Sequence, residues 1–116
     1  MLQEHAYRSF VVNERAPAIL DSMRALAKKH PENQAVRCIL ALGELRAGNS
    51  GAALNLLEGA DMPWEQAQAR WWAIRVAVLG ANQQREAARR FARRVDLKAL
   101  KAEERLIVEP WLAPER

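Results

Sequence analysis

Apolar side chains recur along this chain at spacings of three and four, the pattern of helices with one buried face. Leu2, Ala6, Phe10 and Val11 share such a stripe and predict a first helix over about residues 2–12. A second stripe, Ile19, Leu20, Met23, Leu26 and Ala27, follows Pro17, a residue favoured in a first helical turn. "KKHP" closes it, because lysines suit the negative end of a helix and Pro31 cannot continue one. A third helix spans about 33–46 and stops at Gly48; a fourth spans about 51–58 and stops at Gly59. Asp61 as N-cap and Pro63 in the first turn open a fifth helix that runs to Leu79. Gly80 to Asn82 turn the chain into a sixth, "QQREAARRFARRV", and a short last helix lies between Asp96 and Pro110. Strict apolar/polar alternation is absent, and Ala, Leu, Arg and Glu outnumber β-branched residues. The predicted class is all-α, in one domain over residues 1–116, since no linker or low-complexity tract interrupts the series.

The stretch "RAGNSGAALNLL", residues 46–57, stops one helix and restarts another on two small side chains. That is how a helical hairpin with a close crossing is written. A shift of 34 residues superimposes Arg37 on Trp71, Leu40 on Ile74, Gly48 on Asn82, Ala53 on Ala87 and Leu57 on Phe91. The same shift backwards sets Ile19 under Ala53 and Met23 under Leu57, with Pro31 eight residues after Met23. Period, small helix-B residue and closing proline resemble tetratricopeptide repeats. The resemblance implies three antiparallel hairpins, over about 1–33, 34–67 and 68–101, with a C-terminal capping helix at about 102–112. Arg75, where a small residue belongs, and Ala99, where a proline belongs, depart from the repeat pattern.

Composition narrows the function by exclusion. One cysteine, Cys38, rules out an internal disulfide and suits a reducing compartment. "MLQEHAYRSF" lacks the basic and apolar segments of a signal peptide, and the longest apolar run, "WWAIRVAVLGA", is too short to span a bilayer. A cytoplasmic location is expected.

Catalytic chemistry finds no foothold. His5 and His30 share no metal-ligand spacing, so no metal is expected. "GNSG" lacks the strand and lysine of a phosphate loop, and no cofactor motif is present. Glu103 and Glu104 are adjacent and point to different helix faces. Cys38 sits on an apolar helix and reads as a structural thiol. The chain is expected not to be an enzyme, with no catalytic residue and no cofactor.

Binding is the better reading, and two features bear on it. In "REAARRFARR", residues 85–94, five arginines stand against one glutamate, within a net charge of only +4. Arg85, Arg89 and Arg93 form one stripe, the ordinary solvated face of an amphipathic helix, which could steer an acidic partner. Phe91 is expected to face the core, leaving no ring there for base stacking, which argues against nucleic acid. The second feature is helix A of the second and third repeats. With Val36, Leu40 and Ala41 facing helix B, the opposite side carries Ala35, Cys38, Leu42 and Leu45, then Ala69, Trp72, Val76 and Leu79. A helix apolar on nearly all sides must be covered by something. Either the terminal segments do so, "VEPWL" against Trp71 and Trp72 among them, or a partner helix does.

A three-repeat unit of this length, carried by "PENQAVRCILALGELRAGNSGAAL" and "WWAIRVAVLGANQQREAARRF", is similar to the small tetratricopeptide-type chaperones of bacterial type III secretion. It resembles those that hold needle subunits or export components. The resemblance implies a cytoplasmic chaperone that buries an amphipathic helix of a secreted cargo, with a second small co-chaperone as a further partner. The groove would be lined by Ala35, Cys38, Leu42, Leu45, Trp72, Val76 and Leu79. A module self-associating as a homodimer through the same surface is the alternative reading, and an Arg-rich nucleic-acid binder is a weaker third.

Overall fold

The computed structural model describes residues 2–12, 16–58 and 63–112. Among them are seven α-helices, α1 (Leu2–Val11), α2 (Pro17–Lys29), α3 (Gln34–Arg46), α4 (Ser50–Glu58), α5 (Ala69–Ala81), α6 (Arg85–Ala92) and α7 (Ala102–Val108), and no strand. The protein is all-α. Short 3-10 turns occupy Trp64–Gln66, Leu97–Ala99 and Glu109–Trp111. The stop expected at Gly59 and the N-cap expected at Asp61 lie outside the described residues.

The chain gathers into two units, Met1–Met62 and Pro63–Arg116. In the first, α3 is the central helix, packed by α1, α2 and α4. It is buried on every side, from Val36 through Glu44, apart from the half-buried Arg37. Asn33 caps its start by accepting the Val36 N–H at 3.1 Å. Side chains then tie its ends to its neighbours. Arg37 Nε donates to Leu56 O at 2.8 Å, which places the start of α3 beside the end of α4 and makes the pair antiparallel. Arg46 Nε donates to Phe10 O at 2.7 Å and its Nη2 to Val11 O at 3.2 Å, so a cation satisfies the last carbonyls of α1.

In the second unit α5 is central and is packed by α6, α7 and the Leu97–Ala99 turn. Contacts of Trp72 near the start of α5 with Phe91 near the end of α6 make this pair antiparallel too. The helix starts later than the sequence predicts. Gln66 and Ala67 bond back three residues, to Pro63 O and Trp64 O, which winds a 3-10 turn. Ala67 and Gln68 are then extended (ψ 147° and 153°), and α5 begins when Trp72 N–H reaches Gln68 O. The last predicted helix is likewise split, into Leu97–Ala99, α7 and Glu109–Trp111. Pro110 enters the last turn rather than ending it, because a first-turn N–H has no partner to lose.

The two hairpins repeat each other, at 35 residues rather than the 34 read from the sequence. Gln34 and Ala69 open the first helices, Arg46 and Ala81 close them, and Ser50 and Arg85 open the second helices, each pair 35 apart. Both first helices end in the same motif. Gly48 and Gln83 take the left-handed conformation (φ +87° and +67°). Asn49 N–H then bonds to Glu44 O at 2.8 Å, and Gln84 N–H to Leu79 O at 3.0 Å. The expected pairing of Gly48 with Asn82 is therefore off by one. So is that of Ala53 with Ala87: the buried partner of Ala53 is Ala88, both fully inaccessible, while Ala87 is half-buried.

Candidate functional site

In the first unit, Cys38 and Leu42 are completely buried, whereas Ala35 and Leu45 are half-buried. At Cys38 and Leu42 this face is covered by the chain itself, the alternative to an open groove. One cause is visible at Gly43 of α3, where the Phe10 ring from α1 lies so close that an added Cβ would sit 2.6 Å from it. The amphipathic α1 (Ala6, Tyr7, Phe10 and Val11 buried; Glu4, His5 and Arg8 exposed) packs on α3. Burial pushes the Cys38 thiol up to about 12, so it stays protonated and unreactive.

The first unit also holds a buried carboxylate that periodicity does not reveal. Glu44 accepts from Arg24 Nε at 2.9 Å and Arg24 Nη2 at 2.8 Å, and from Asn49 Nδ2 at 3.0 Å. Hydrogen bonds from Arg24 hold its carboxyl below the usual range, against the opposing effect of burial. The pair joins α2 to α3, twenty positions away, and its geometry leaves the carboxylate fully used; it is structural.

In the second unit, Val76 is fully buried, Leu79 nearly so, and Trp72 is half-buried. Val76 and Leu79 are interior residues here, not open groove positions. "VEPWL" does cover α5, but at the far end of the helix from Trp72. The Trp111 ring rests on Gly80, where a Cβ would clash with it. Trp72 is not a free anchor either. Its indole N–H donates to Trp64 O at 2.9 Å, and its ring meets Trp64 edge-on at 5.6 Å and Phe91 at 5.5 Å.

Arg75, which broke the repeat pattern in the sequence, lies among these rings. Its guanidinium carbon is 4.5 Å from the Trp64 centroid, 5.3 Å from Trp72 and 4.4 Å from Phe91. Arg94 stands 5.3 Å from Trp72, and Arg90 5.3 Å from Phe91. Phe91 is therefore half-buried within an arginine–aromatic cluster rather than directed at the core. No spacing in the sequence groups Trp64, Arg75, Arg90 and Arg94. Trp64 and Trp72 are eight apart, and the extended residues between them hide their meeting from any single helical period. Of the predicted stripe, Arg85 and Arg93 are exposed and Arg89 is half-buried.

A cleft of about 440 Å3 opens beside Trp72, bounded by Ala67, Ala69 and Ala99 and by the charged Glu65, Arg94 and Asp96. Among the described residues no group of three or more His, Cys, Asp or Glu side chains could hold a metal ion. No described helix is long and apolar enough to cross a membrane. Compared with protein-family models, curated proteins and solved structures, the chain matches none.

Proposed function

We propose that this chain is a non-catalytic, tetratricopeptide-like binding protein that holds an amphipathic helix of a type III secretion cargo in the cytoplasm before export. One observation carries the reading. In each unit the central helix is apolar nearly all round, and a segment of the same chain lies on it with an aromatic ring seated on a helical glycine: Phe10 on Gly43, Trp111 on Gly80. Surfaces of this kind are suited to amphipathic helices, because glycine lets a ring approach the backbone and the flanking aliphatic side chains exclude water. A cargo helix binds at the half-buried margin of α3, through Ala35 and Leu45, or by exchange with the segment already there. The 35-residue hairpin repeat with its shared helix end is what supports the tetratricopeptide-like arrangement.

The test uses small proteins encoded beside this one as candidate cargo, with Leu45→Asp as the variant. Leu45 is half-buried, so the change is expected to leave the melting temperature nearly unchanged while weakening cargo capture by about tenfold or more. Capture that survives Leu45→Asp unchanged would remove α3 from the binding surface.

Self-association is the second reading, favoured by Leu106 on α7, which is 67% exposed. It predicts a dimer mass without any cargo.

A further inference from the structure

The charge of this chain is divided unequally. Residues 1–62 carry seven Lys and Arg against seven Asp and Glu, and residues 63–116 carry eleven against seven, so the whole net charge of +4 belongs to the second unit. Among the described residues, Arg85, Arg90, Arg93 and Arg94 are exposed and form no ion pair; the ion pairs found join Arg24 to Asp21 and Glu44. Arg90 and Arg94 stand one helical turn apart, each against a ring, so their guanidinium groups are partly ordered before any partner arrives. Arg94 also borders the cleft beside Trp72, whose uncharged walls are Ala67, Ala69 and Ala99.

We propose that this face of the second unit docks an acidic amphipathic segment of a partner protein, with carboxylates on Arg90 and Arg94 and an apolar side chain in the cleft against Trp72. A polyphosphate is the poorer fit. Arg75 and Arg94 already lie against the Trp72 ring on which a base would stack, and a polyphosphate has no apolar side chain to set against Ala67, Ala69 and Ala99. A second copy of this chain is also a poor fit, because its second unit carries the same positive charge and its first unit is neutral. The proposal does not rest on the chaperone reading, which concerns the apolar faces of α3 and α5.

Fluorescence anisotropy with three labelled probes tests it: an amphipathic peptide with a Leu/Phe face and a Glu/Asp face, the same peptide with Lys in place of the acids, and an oligothymidine. The wild type should bind the acidic peptide about tenfold or more tighter than the basic one, with affinity falling as salt rises. Arg90→Gln with Arg94→Gln, checked for native helicity, should weaken acidic-peptide binding by about tenfold. Lys28→Gln with Lys29→Gln, exposed lysines of the first unit, should leave it unchanged. An equal loss in the lysine variant would reduce the effect to non-specific charge and overturn the proposal. Tighter binding of the oligothymidine, or no binding of the acidic peptide, would overturn it as well.

Discussion

Cys38 is one side chain on which the two explanations for an apolar helix face separate. An open groove would expose it; the structure buries it completely and keeps its thiol protonated. In folded protein, a thiol reagent should therefore modify Cys38 only as fast as the chain unfolds, and stoichiometrically only in denaturant. Full labelling of folded protein within minutes would mean that α3 is uncovered. Ala53 and Ala88 make a second separation. Both are fully buried at the crossings of their hairpins, so Leu at either should overpack by about 1–3 kcal/mol. Leu at the half-buried Ala87 should cost clearly less, and thermal melts of the three variants compare the 34- and 35-residue registers directly. Glu44 gives a pH signature. Its folded pKa lies below the ordinary value of 4.5, so its stabilisation is complete above that value and is lost as pH falls through the lower folded value. Glu44→Gln should be less stable than wild type at neutral pH, and the difference should shrink as melting is followed down from about pH 5 to 3.

At the scale of elements, the helix ends explain both what was legible and what was not. Gly48 announces its left-handed conformation, since glycine alone adopts it without a Cβ clash. Gln83 adopts the same conformation in the second hairpin with a side chain that gives no such signal, and the nearest glycine, Gly80, serves Trp111 instead. With no glycine to mark Gln83, the 34-residue shift sets Gly48 on Asn82, one residue short. Gln83→Gly should raise stability by about 0.5–1 kcal/mol by relieving that conformation, and Gly48→Ala should lower it by about 1 kcal/mol, both read from denaturant melts. The all-α class followed from apolar spacing because it depends on local periodicity. The 3-10 turn at Trp64–Gln66, the Arg24–Glu44 pair and the rings around Arg75 did not, because each depends on where the chain returns in space. The expected groove was half legible for the same reason. The sequence showed that the α3 and α5 faces need cover, but not that Phe10 and Trp111 would supply it.

The whole molecule carries two kinds of surface: central helices covered by segments of their own chain, and an arginine-rich face on the second unit, proposed to dock an acidic partner. Under the proposed function, the protein acts by holding another protein. A chain of this kind gains stability from its cargo by mass action and should become more soluble and melt higher when that cargo is present. The most direct measurement is the native mass of the particle, taken for the protein by itself and after co-expression with the proteins encoded beside it. The account predicts that the protein without cargo forms no stable dimer and that co-expression yields a stoichiometric complex with a small helical partner. A stable homodimer of unchanged mass in both preparations, taking up no partner, would contradict it.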